Sequence, residues 1–307
     1  MIKKYNNFLL EDFYDDGYYS NTSQMISRYK NFIKKLRGEE DSKPSSSDND
    51  DDDDYDDDDD ESTSYVKPKS FQNVDEMIRI IVKYLNKYGI TNPYIQKGIL
   101  STIAKESAFT STREAPYTTT SPARIREVFG ARVANMSDQE INDLKKKENE
   151  FWEKVYGGEW GAKYLGNTQP GEGAKYVGRG FNGITGKANY KRMTDLLKGF
   201  GKNVDLVSNP ETLEKDPELT AEVNAIYFLN ALDHPLIKRK YGNKDANDFS
   251  NFDTALRAAV NATAGAGVDI NKGFAMQSYK NAVAASTNLG SKFDKAISGP
   301  SDANRTA

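Results

Sequence analysis

The chain has 307 residues, a formal charge of −4 at neutral pH, no cysteine and a single histidine. Disulfides, thiol catalysis and Cys-ligated zinc are therefore excluded, and a triad hydrolase or multi-His metal site lacks its parts. Acid–base chemistry must fall to carboxylates. No run of about 20 apolar residues is present to span a membrane.

The charge is segregated along the chain. Residues 1–61 carry 8 Lys+Arg against 19 Asp+Glu, and the remainder 34 against 27. An acidic arm thus precedes a mildly basic domain. A basic surface suits an anionic polymer, bacterial cell wall and nucleic acid alike.

The N-terminus has two lysines, but its apolar stretch is too short for a signal peptide and acids follow at once. Within residues 1–40, Met25, Ile26, Tyr29, Phe32, Ile33 and Leu36 fall at helical spacing. This segment reads either as a short helix docked on the main domain or as an anchor for another protein. Residues 41–70 are rich in Ser, Pro and Asp, with DNDDDDDYDDDDDE at 48–61. Such like charges repel and stay hydrated, which predicts a disordered acidic linker.

Residues 71–290 read as one folded domain, mainly α-helical with long loops, followed by a flexible tail over 291–307. A first helix over 74–88 sets Met77, Ile80, Ile81, Tyr84 and Leu85 on one face, with Gly89 as its C-cap. Asn92-Pro93 opens a second helix reaching about Phe109. Ser137 and Glu140 form a capping-box pattern for a helix running toward Trp152. Further helices start at Pro217 and Asp253, and a last one covers 273–285. His234, before Pro235, reads as a surface or capping residue. The stretch 176–184 is expected to be a short hairpin or an extended loop.

Two glutamates stand out. At about 100° per residue Glu106 falls within about 20° of the Ile95 direction, on the apolar side of the second helix. A carboxylate there is costly unless it is paired or opens on a cleft, and burial favours the protonated form that a general acid needs. Paired to a buried Lys or Arg, it would merely hold helices together. Glu114 lies eight residues on, close before Pro116, which disfavours helix and predicts a loop that folds back across a cleft. Carboxylates separated by about 6.5–9.5 Å leave room for the water of an inverting glycosidase. The glycine-rich segment 176–190 has no apolar strand before it and no Lys-Ser/Thr after it, so it is not a phosphate loop.

At these residues the chain resembles glycoside hydrolase family 19, the chitinases and the related bacteriophage endolysins. The resemblance rests on Ala104-Lys-Glu-Ser-Ala-Phe109, on Arg113-Glu-Ala-Pro-Tyr-Thr118 and on Gly178-Arg-Gly-Phe-Asn-Gly-Ile-Thr-Gly-Lys-Ala-Asn-Tyr190. Val155-Tyr-Gly-Gly158, Asn209-Pro-Glu-Thr-Leu and Val260-Asn-Ala-Thr-Ala-Gly resemble further family elements in the same order. Three positions depart from the pattern. Lys105 stands for the usual His, Gly183 for the usual Gln, and Asn-Ala-Thr-Ala for Asn-Gly-Gly.

The resemblance implies a lysozyme-like two-lobed helical domain with at most a small β-hairpin. It implies an inverting cut of a β-1,4 linkage between N-acetylated amino sugars, with Glu106 as acid, Glu114 as base and Thr185 positioning the water. Tyr117, Tyr176, Arg179, Asn182, Asn189, Tyr190 and Asn261 would contact or shape the substrate. No metal or organic cofactor, nucleic acid or membrane span is expected. The expected partner is peptidoglycan, or chitin in the alternative of a true chitinase, and residues 1–40 would bind a virion or tail protein. The place of action would be the host cytoplasm before release to the wall, or the virion. A third reading is a wall-binding or virion structural protein on the same scaffold with weakened catalysis.

Overall fold

The computed structural model describes residues 73–299, so the N-terminal segment, the linker and residues 300–307 lie outside the described residues. Thirteen α-helices make the described part mainly helical: α1 (Val74–Lys87), α2 (Pro93–Ser107), α3 (Pro122–Phe129), α4 (Asp138–Leu144), α5 (Glu148–Tyr156), α6 (Gly158–Leu165), α7 (Glu172–Lys175), α8 (Lys187–Gly199), α9 (Thr212–Lys215), α10 (Pro217–Leu232), α11 (Pro235–Tyr241), α12 (Phe252–Ala264) and α13 (Gly273–Ile297).

Local signals place the long helices. Asn73 caps α1 through the Asp75 amide, and Gly89 follows its end at φ 80. Asn92 accepts from the amides of Tyr94 and Ile95, with Pro93 just inside α2. His234 caps α11 by accepting the Leu236 amide on Nδ1 at 3.1 Å. α10 is buried nearly all round, as befits the central helix of a bundle. It meets α1 through Lys87 and Tyr88 on Glu222, at 2.5 and 2.7 Å.

Most buried apolar side chains belong to an aliphatic core formed by α1, α2, α8, α10, α11, α12 and α13. At Gly98 a Cβ would lie 3.1 Å from the Ala255 oxygen and the Leu256 Cα, so glycine sets how closely α2 approaches α12. A second core is largely aromatic. Tyr117, Phe129, Phe151, Trp152 and Tyr156 interlock there with Ile125, Ile141 and Leu165. Trp152 and Tyr156 stack at 5.6 Å with their planes 3° apart, and Phe129 meets Phe151 edge-on at 5.4 Å.

Two boundaries differ from the sequence expectation. The capping box at Ser137 is present, but α4 stops at Leu144 and Trp152 belongs to a separate helix. The break falls on Lys145-Lys146-Lys147, where the Lys145 ammonium reaches away to the Thr120 oxygen at 2.7 Å. The last helix continues to Ile297, so residues 291–297 are not a tail: Phe293 is fully buried and Lys292 pairs with Asp75. Between α7 and α8, Arg179 and Ile184 exchange both backbone hydrogen bonds, at 3.1 and 2.8 Å, in a minimal antiparallel closure.

Candidate active site

Glu106 sits in the last turn of α2, its side chain 10% exposed. It is paired with the neighbouring Lys105, whose own side chain is 3% exposed and also donates to the Ser278 hydroxyl on α13. The lysine thus lies between the carboxylate and α13. After Ser107 the chain reverses through two consecutive left-handed residues, Ala108 at φ 49 and Phe109 at φ 63. Neither is glycine, and such backbone costs of order 1 kcal/mol or more per residue. Phe109 repays it by packing edge-on against Phe293 at 6.0 Å.

The reversed chain then binds the glycine-rich segment by its backbone. The Gly180 amide donates to the Thr112 oxygen at 3.1 Å and the Glu114 amide to the Gly178 oxygen at 2.7 Å. Arg113 bridges Arg179 between them. Segments some 65 residues apart are thereby joined into one unit. The two guanidiniums are kept separate by their acids: Arg113 pairs with Glu148 and Arg179 with Glu214. Burial, and then the Arg179 charge, pull the Arg113 pKa down.

Glu114 corrects part of the sequence expectation. It lies in the loop between α2 and α3, as expected, but is 2% exposed, at the edge of the aromatic core. The Tyr156 hydroxyl lies 3.1 Å from Oε2, and the Tyr117 hydroxyl 3.3 Å from Oε1, both long for O–H···O contacts. Burial, and then the Glu114 charge, raise the Tyr117 phenol well above its ordinary range. Arg132 shares this environment. Burial lowers its pKa to about 10, while Tyr156, Glu114 and Tyr117 act in the opposite direction.

The remaining expected residues divide into two groups. Thr185 donates to the Gly183 oxygen and Asn189 to the Thr185 oxygen, both at 2.8 Å, so they brace the turn entering α8. Tyr190 is fully buried and donates to the Val177 oxygen at 2.8 Å, while Arg179 donates to the Tyr190 hydroxyl and to the Lys175 and Val177 oxygens. Tyr176 is 2% exposed and donates to the Val207 oxygen. Tyr117, Tyr176, Arg179 and Tyr190 therefore shape the wall from behind and do not present their faces to solvent. Asn182 is different: both ends of its amide are buried without a hydrogen-bond partner. Such a group gains most from a ligand that supplies a donor and an acceptor.

Asn261 stands apart from this unit and is a correction. It lies on α12 at 0% exposure, accepts from Lys240 and Tyr241, and donates to the Gly265 and Val268 oxygens. With its amide fully used inside, it holds the 265–268 loop and has no edge left for a sugar.

Arg132, Tyr156, Lys105 and Ser278 complete the surroundings. Of these, the sequence marked Lys105 as the departure from the usual His and Tyr156 as part of the Val-Tyr pair, and gave no signal for Arg132 or Ser278. A groove of about 1110 Å³ runs past Arg132, Glu150, Glu153, Trp160 and Lys175, and neither Glu106, Glu114 nor Asn182 is among the residues that line it. The Arg132 guanidinium stacks 4.0 Å from the Trp160 ring centre, which connects the groove wall to the Glu114 environment. Among the described residues no three or more His, Asp or Glu side chains converge as a metal set, and no helix is long and apolar enough to cross a membrane. No protein-family model matches the chain, and no curated protein matches it.

Proposed function

We propose that this chain is a glycosidase acting on a polymer of N-acetylated amino sugars, with bacterial peptidoglycan as its substrate. One observation supports this above the others: the chain leaving Glu106 is fixed by backbone hydrogen bonds to the glycine-rich segment. Glu106, in the last turn of α2, is the proton donor to the leaving oxygen. Its Lys105 partner must give way, or shift to Ser278 alone, when Glu106 takes up the proton. Glu114 as base requires that the Tyr117 and Tyr156 hydroxyls release it to a water. Asn182, whose amide is buried without a partner, must be uncovered before it can meet a sugar substituent. The groove lining sets Arg132, Lys154 and Lys175 against Glu150, Glu153 and Glu159, so it carries no excess of positive charge of the kind that nucleic acid requires.

The enclosure of Glu114 favours a second reading, a wall-binding protein without turnover. Release of reducing sugar from purified peptidoglycan, with chitin oligomers in parallel, separates the two. The glycosidase reading expects activity in the wild type and a loss of about 10²–10⁴-fold in Glu106→Gln. A folded wild type that binds the wall but releases no sugar from either polymer selects the second reading. Activity that survives in Glu106→Gln removes that residue from the chemistry.

A further inference from the structure

At the point where the described chain begins, α1 and α13 enclose a second groove, of about 400 Å³, bordered by Asp75, Arg79, Lys83, Lys292, Lys295 and Gly299. Four cations face one carboxylate. Asp75 is already bound to Lys292 at 2.6 Å, and that hydrogen bond, with the charges of Lys292, Arg79 and Lys295, holds its pKa below the ordinary range. Lys83 reaches Glu218 at 2.9 Å, both side chains being largely exposed. Among the described residues, Arg79 and Lys295 take part in no ion pair, so the groove keeps an excess of positive charge. A concave cluster of this kind concentrates field and attracts polyanions.

The chain carries such a polyanion close by. Residues 48–61 hold twelve Asp and Glu in fourteen positions, and Glu61 is only twelve residues upstream of Asn73. Twelve residues span at most about 40 Å, far enough to return along the outer face of α1. A tether this short raises the effective concentration of its cargo into the mM range wherever it can span the gap. Individual exposed pairs are weak, but a multivalent array draws on this proximity at every contact.

We propose that the α1–α13 groove is the docking surface for the acidic run 48–61 of the same chain. The run lies against Arg79, Lys83, Lys292 and Lys295, and thereby fixes the direction in which the N-terminal arm leaves the body.

Carbodiimide coupling of the full chain tests this, because it joins a carboxylate to an amine only where the two touch. At 10 mM salt, crosslinks from residues 48–61 are expected to gather on Lys83, Lys292 and Lys295. Lys146 and Lys272, 71% and 82% exposed, should receive several-fold fewer. In 1 M salt, where the Debye length shrinks from about 30 Å to about 3 Å, the preference should vanish. Crosslinks that follow lysine exposure at low salt, or that join two copies of the chain, overturn the proposal. A second variant leaves the helical body untouched by changing Asp51–Asp54 and Asp56–Asp60 to Asn. Acylation of Lys292 and Lys295 should then run several-fold faster than in the wild type; equal rates overturn it as well.

Discussion

The two cores of this molecule are built on different principles. The aliphatic core is assembled chiefly from helices of 13 to 25 residues, such as α1, α2, α10, α12 and α13, each with its own cap or apolar face, with the seven-residue α11 beside them. The aromatic core is bounded by α3, α4, α5 and α6, none longer than 9 residues. Helices that short are marginal alone, since nucleation takes several residues before hydrogen bonds accumulate. They persist here because Trp152, Phe151, Phe129, Tyr117 and Tyr156 lock them side to side. Glu106 belongs to the first region and Glu114 to the second, so the proposed chemistry lies where the two regions meet.

The aromatic core should therefore be the more fragile to loss of one side chain. Trp152→Ala removes the fully buried ring at its centre and is expected to cost about 3–5 kcal/mol. Chemical denaturation reads the total cost. Hydrogen exchange reads its location, with α3–α5 deprotected and α2 and α12 kept. Uniform deprotection would show that the two cores unfold as one unit.

A buried charge tests the aliphatic side. Burial of Glu222 favours its neutral acid, but the Lys87 and Tyr88 hydrogen bonds and the Lys202 charge prevail and hold its pKa below the ordinary carboxylate range. A depressed folded-state pKa gives stability that is present above the unfolded value, near 4.3, and is lost as pH falls through the folded one. Glu222→Gln should cost about 1.5–3 kcal/mol at neutral pH. It should also flatten the decline in stability on acidification below about pH 4.5. An unchanged acid limb would mean that other carboxylates set it.

Gly98→Ala pushes a Cβ into the α12 backbone and is expected to cost about 1–3 kcal/mol, read as a lower denaturation midpoint. No change would mean that α2 and α12 can separate freely. The smallest effect is at the edge of the aromatic region. Ser137→Ala removes the capping box of α4 and should cost about 1 kcal/mol, with exchange rising only in α4.

The same contrast governs what the sequence could reveal. α1, α2 and α10 follow from apolar spacing, Asn caps and proline at the first turn, all local signals. α3 carries a Ser121 cap and Pro122 at its first turn that the sequence reading passed over, α6 has no side-chain cap, and the lysine triplet after Leu144 interrupted what looked like one helix. For the candidate site, the glycine-rich turn and the position of Glu106 on α2 were legible. The enclosure of Glu114 was not, because it depends on Tyr156, 42 residues away, and on Arg132. Asn261 misled for a related reason: the resemblance of its segment implied a sugar contact, while its partners on α11 and the 265–268 loop are visible only once the chain is folded.

α13 has a mechanical meaning as well. Ser278 touches the lysine beside Glu106, and Lys292 touches Asp75 at the start of the helical body. Fourteen residues of one continuous helix, about 21 Å, separate these two points. The helix is thus a strut. A load arriving from residues upstream of Asn73 meets one end of it, and the other end is fastened next to the carboxylate.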